Sequence, residues 1–196
     1  TEGPMVLPGR YSMRLTANGQ TRTQSFQVVD DPRIGATPAE LAASYDLARR
    51  TVATLNAISD NVKRIATLQQ QLTARADQTK DAPYAKRVSS AATSLKGKLE
   101  AIRAELADVH SERDQITLHY PVKLYNQLLN VNRMAQSFER GPTEQAVGVY
   151  RELSGKADAL IGRERALEAG EVAAFNQMMR ELNVPAVAVE QVKPIG

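Results

Sequence analysis

The chain contains no cysteine and no tryptophan, and its 196 residues include only three Phe, six Tyr and two His. Without thiols there is no disulfide framework, no thiolate zinc site and no cysteine nucleophile. The two histidines, His110 and His119, leave little material for imidazole-based metal or triad chemistry. Aromatics make up 5% of the chain and apolar residues 42%. A core must therefore be built from Leu, Val, Ile and Ala, which favours helix packed on helix. No run approaches the roughly 20 consecutive apolar residues of a membrane-spanning helix. A dominant charge is lacking too, since 25 basic and 22 acidic residues leave a net charge of +3. The pairs Arg49-Arg50 and Lys63-Arg64 could form a basic strip, but nucleic-acid binding asks for denser clusters with interleaved aromatics.

Catalytic signatures are missing in the same way. A di-iron carboxylate bundle needs Glu-x-x-His, yet Ala107 stands three residues before His110 and Ile116 three before His119. Ser154-Gly155-Lys156-Ala157 has the look of a phosphate-cradling loop. Its earlier glycine is replaced by Tyr150, and Ala157 stands where a magnesium-binding hydroxyl is needed. The charges Glu100, Glu105, Asp108 and Glu112 intermix with Lys96, Lys98 and Arg103, the pattern of a solvated helix face. The expectation is no catalytic residue, no metal and no cofactor.

What is present is pattern. Tyr11, Met13 and Leu15 alternate with Arg10, Ser12, Arg14 and Thr16, and Phe26 and Val28 continue the alternation after Asn18-Gly19. That dipeptide is the hairpin turn in which both central residues need φ > 0. A two-residue loop sets Tyr11 opposite Phe26 and Met13 opposite Gln24. Two strands are marginal in water and need a further layer. The opening Thr1–Gly9 stretch reads as a loop entering a strand, and we expect the chain to be a piece of a longer protein.

Helical signals follow. Thr37-Pro38-Ala39-Glu40 is a capping box with Pro at the first helical position. Leu41, Tyr45, Ala48, Val52, Leu55, Ile58, Val62, Ile65, Leu68 and Leu72 recur about every 3.5 residues, a coiled-coil seam. Val88, Ala92, Leu95, Leu99, Ile102, Leu106 and Val109 form a second seam, with Pro83 expected in its first turn. Ile116, Leu118 and Tyr120 alternate as a short extended crossing. Leu124, Leu128, Val131, Ala135 and Phe138 mark a third helix opened by Pro121. Ala146, Val149, Leu153, Ala157, Leu160 and Leu167 mark a fourth after Gly141-Pro142, with Gly170 expected to kink it before Val172 and Phe175.

The fold class expected is mainly α: an antiparallel four-helix bundle with a long projecting helical hairpin, preceded by a β-hairpin. The boundaries are 1–34 for the β-hairpin and 35–185 for the bundle, with helices near 37–78, 82–112, 121–140 and 142–182 and an extended tail over 186–196. The first two helices outrun the third, so the tip near 70–90 should project. Candidate interaction residues cluster around the crossing and third helix: His119, Tyr120, Tyr125, Asn126, Asn130 and Arg133. The amides there either form a polar network that fixes helix register or a recognition surface. Self-association through the hairpin edge or the coiled-coil tip is a further expectation.

Several motifs in order carry a resemblance: Pro8-Gly9-Arg10-Tyr11-Ser12-Met13-Arg14-Leu15, Asn18-Gly19, Asp31-Pro32-Arg33, Tyr120-Pro121-Val122-Lys123-Leu124-Tyr125-Asn126-Gln127-Leu128 and Ala173-Ala174-Phe175-Asn176. Together they resemble the C-terminal region of bacterial sortilin-like, BNR-repeat β-propeller proteins, often labelled glycosyl hydrolases. The resemblance implies a propeller upstream, a hairpin that is the remnant of an Ig-like β-sandwich, and a periplasmic or secreted location. It carries no hydrolase residue onto this chain. The function it implies is a non-catalytic helical module for interaction, assembly or stabilisation, whose partner is the propeller or another protein. The alternative is an accessory substrate-binding module of a glycosidase- or peptidase-like enzyme, using Tyr120, Tyr125 and the third-helix amides.

Overall fold

The computed structural model describes residues 3–31, 33, 35–107, 122–136 and 140–189. It is mainly helical. Strands β1 (Gly9–Ala17) and β2 (Gln20–Val28) precede helices α1 (Pro38–Gln78), α2 (Ala85–Leu106), α3 (Leu124–Ala135) and α4 (Glu144–Leu167). A π-helical turn (Glu168–Val172) then joins α4 to α5 (Ala173–Glu181). The chain divides into one unit of Thr1–Ala53 with Leu129–Arg151, and another of Thr54–Leu128 with Glu152–Gly196.

In the first unit the hairpin has the register the turn dictates. Tyr11 pairs with Phe26 and Met13 with Gln24, and Asn18 and Gly19 take φ values of 50° and 75°. The Tyr11 and Phe26 rings stack with centroids 6.1 Å apart. The apolar face stands open even so, with Met13 63%, Leu15 67% and Phe26 46% exposed. The start of α1 is the expected capping box. The Thr37 N–H donates to Glu40 Oε2 at 2.7 Å and the Thr37 hydroxyl to the same oxygen at 2.8 Å, and these two bonds hold the Glu40 carboxyl below its usual pKa, while the Glu40 N–H donates back to Thr37 Oγ1 at 3.3 Å. A Cβ on Gly141 would lie 3.1 Å from Glu40 Cγ, which explains a glycine there. Leu47, Ala48, Ala135 and Ala146 form the unit's core, with Val147 and Tyr150 against it. Val149, expected in the seam, is exposed, because Tyr150 takes the inward position and lies under Arg50 with the guanidinium carbon 5.4 Å from the ring centroid.

Side-chain bonds give the helix directions in the second unit. Gln69 meets Glu100 at 3.0 Å and Thr73 meets Lys96 at 2.7 Å, so α1 and α2 run antiparallel. Glu105 meets Arg163 and Lys98 meets Glu171, so α2 and the α4–α5 stretch are antiparallel too. Asn61 meets Glu164 and Arg64 meets Glu168, so α1 and α4 run parallel. The up-and-down order of an antiparallel four-helix bundle does not describe that last pair. Leu55, Ile58, Ile65, Leu68 and Leu72 of α1 and all of Val88, Ala92, Leu95, Leu99, Ile102 and Leu106 of α2 are buried, as their spacing requires.

Several boundaries move, for local reasons. Residues 79–84 form successive turns, with Ala82 N–H on Thr79 O and Ala85 N–H on Ala82 O, so Pro83 precedes α2. Thr143 caps α4 by accepting the Ala146 N–H at 3.1 Å, which puts Pro142 outside the helix. Gly170 lies in the π-helical turn, where the ladder shifts by one residue. Val109, the crossing at Ile116, Leu118 and Tyr120, and Phe138 lie outside the described residues.

The α1–α2 tip is flanked, not bare, as far as Arg75. Helix α5 ends on Asn183 at φ 56°, with Asn183 N–H bonded to Arg180 O and Val184 N–H to Met179 O, a Schellman turn. The chain then runs along α1 through 184–188, where Arg75 Nη2 reaches Ala186 O at 3.4 Å. The stretch expected as one helix over 142–182 is α4, the π-helical turn and α5 in succession.

Candidate functional site

The third-helix surface holds only part of the expected set. Tyr125 and Asn126 are half-buried in the first turn of α3, and Asn130 and Arg133 are exposed further along it. Arg133 Nη1 donates to Asn130 Oδ1 at 3.5 Å, and Gln127 Nε2 to Val122 O at 2.9 Å. Asn132 is the buried amide of this helix, and its Oδ1 has no hydrogen-bond partner among the described residues. His119 and Tyr120 lie outside the described residues.

A stronger polar constellation sits in the second unit, at the end of α4. Leu153, Ala157 and Leu160 step along its buried face, and the next position in that rhythm is Glu164. Its side chain is fully buried. Asn61 Nδ2 donates to Glu164 Oε2 at 3.0 Å, and Asn61 is itself buried at an α1 seam position. One turn on, Glu168 opens the π-helical turn and accepts from Arg64 Nη1 at 3.2 Å, both side chains being largely buried. Burial pushes the Glu164 carboxyl up to about 7, and a hydrogen bond and the charge of Glu168 add to the shift, against the opposing pull of Arg64 and Asn61. Among the described residues Glu164 Oε1 and Glu168 Oε1 have no hydrogen-bond partner.

That arrangement favours the protonated form of a carboxyl in a helix seam. Two carboxyls beside a guanidinium give a net charge of zero when one of them is protonated, which is what a desolvated layer tolerates. Of the pairs Arg49-Arg50 and Lys63-Arg64 that could form a basic strip, Arg50 pairs with Asp46 at 2.9 Å and Arg64 with Glu168. Among the described residues no group of three or more His, Asp or Glu converges as a metal site.

The sequence carried one overlooked signal for this layer. The apolar rhythm of α4 passes from Leu160 to Leu167 with nothing apolar at 164, and a charged residue at a seam position is a buried charge in waiting. Asn61 was hidden by its neighbour Val62, which fits the same stripe and is only half-buried. Compared with family models, characterised proteins and solved structures, the chain gives no significant match.

Proposed function

We propose that this chain is a non-catalytic helical module of a larger exported β-propeller protein, serving interaction, assembly or stabilisation. The observation that carries this reading is the open apolar face of the hairpin. Met13, Leu15 and Phe26 lie on one side of a two-stranded sheet, and more than 45% of each is exposed to water. Side chains patterned in this way for burial call for a covering layer. The same observation supports reading the hairpin as the remnant of an Ig-like β-sandwich whose other strands belong to the parent. The seams support the scaffold part of the role. They fix long helices rigidly and commit their aliphatic residues to packing, which suits a spacer or an assembly surface.

A photo-crosslinking residue placed at Met13 in the full-length natural protein tests this. The expected product is an intramolecular crosslink to a β-rich segment preceding the helical region. A Met13 position that stays uncrosslinked and solvent-exposed in the full-length protein overturns the reading, as does hydrolysis of glycosides or peptides by the isolated chain.

A further inference from the structure

The segment 184–188 is held in a manner that does not depend on what its side chains are. Asn176 of α5 meets a single residue twice: its Nδ2 donates to Val187 O at 2.9 Å and its Oδ1 accepts the Val187 N–H at 2.7 Å. Gln71 of α1 does the same to the next residue, donating to Ala188 O at 3.1 Å and accepting the Ala188 N–H at 2.7 Å. In an extended chain the N–H and C=O of one residue point to one edge and those of the next to the other. The two amides therefore stand in for the two neighbouring strands of a sheet, one on each edge. Side-chain selection is separate. Val184 and Val187 are buried, while Pro185 and Ala188 face solvent. Val184 is tied to the end of α5 through Met179 O at 2.9 Å, whereas the backbone of residues 186–188 is held by side chains, those of Arg75 and Gln71 on α1 and of Asn176 on α5.

We propose that the groove between α1 and α5 is a peptide-recognition site, and that its ligand is a short extended apolar peptide with a β-branched residue at the Val187 position. Residues 184–188 are its resident occupant. The backbone is read by Gln71 and Asn176, as in strand addition to a sheet edge, and burial of the Val187 side chain supplies the preference. Because the resident segment is tethered a few residues from α5, its effective concentration is in the millimolar range or above. A competing peptide binds measurably only once the resident is weakened. This site stands apart from the open hairpin face and is independent of what covers it.

The test uses the full chain carrying Val187→Asp, which unseats the resident and leaves the groove intact. The probe is the capped peptide Val-Pro-Ala-Val-Ala-Val, titrated while the side-chain amide resonances of Gln71 and Asn176 are followed by NMR. Both amides should shift saturably, with a Kd of about 1 mM or below. Adding Asn176→Ala should weaken binding at least about tenfold, since it strips two hydrogen bonds from the ligand backbone. Should Val187→Asp unfold the chain, Ala188→Pro at an exposed position removes the N–H that Gln71 accepts and serves in its place. No saturable shift in a folded variant, or binding unchanged by Asn176→Ala, overturns the proposal.

Discussion

The β-hairpin and the helical seams use similar side chains with opposite outcomes. Met13 and Phe26 alternate correctly on one face of a sheet and remain open to water, whereas Met179 and Phe175 on α5 are sealed. Local pattern chooses the side a residue faces; burial needs a second element to close on that side. The helices of the second unit provide three such surfaces for one another, joined by Asn61 and Glu164, Gln69 and Glu100, and Lys98 and Glu171. The hairpin has its turn, its register and one stacked ring pair, and its exposed apolar area contributes little to stability on its own.

The largest expected contrast is between seam and hairpin. Leu99→Ala, at a fully buried position of α2, should cost about 2–5 kcal/mol of unfolding free energy by chemical denaturation. A loss under about 1 kcal/mol would mean the seam is looser than its burial implies.

The buried acid layer gives the next effect. An unfolded glutamate titrates near 4.5 and Glu164 in the folded chain near 7, so the folded state holds the extra proton between those values. Stability is therefore full below about pH 4.5 and declines as pH rises through about 7, by at most about 3 kcal/mol. The groups facing Glu164 are Glu168 in the π-helical turn that follows α4 and Arg64 and Asn61 on α1. Glu164→Gln should flatten that part of the stability–pH profile. A profile that stays equally steep in the variant would assign the effect elsewhere.

Capping comes third. Thr143→Ala removes the acceptor for the Ala146 N–H and should cost about 1 kcal/mol. Smallest is Met13→Ala in the isolated chain, expected within about 0.5 kcal/mol of the parent because the side chain is already exposed. A cost of Leu99 size at Met13 would erase the distinction between the two regions.

Much of this was legible in the sequence. Asn18-Gly19 fixed strand pairing residue by residue, Thr37 to Glu40 fixed the start of α1, and the heptad of α2 named its buried set. Those are local rules with short reach. The partners of Glu164, Gln71 and Asn176 were not legible, because each depends on which helices meet and in which direction. The α4–α1 pairing is parallel, and the bonds from Asn61 and Arg64 reveal it. A kink was expected at Gly170, and the residue lies instead in a π-helical turn, which no apolar spacing signals. Apolar spacing also gives no sign of buried polar residues: Ser44 and Thr51 are buried, Thr51 satisfying its hydroxyl on Leu47 O one turn back.

Native-state hydrogen exchange on the isolated chain tests the difference between the two regions most directly. The account predicts that amides at Leu68, Leu99 and Met179 exchange only through global unfolding, while the inward-bonded amides of β1 and β2 exchange through a local opening that costs far less. Hairpin amides protected to the same level as those of the seams would contradict it, by showing that the hairpin is already stabilised without any covering layer.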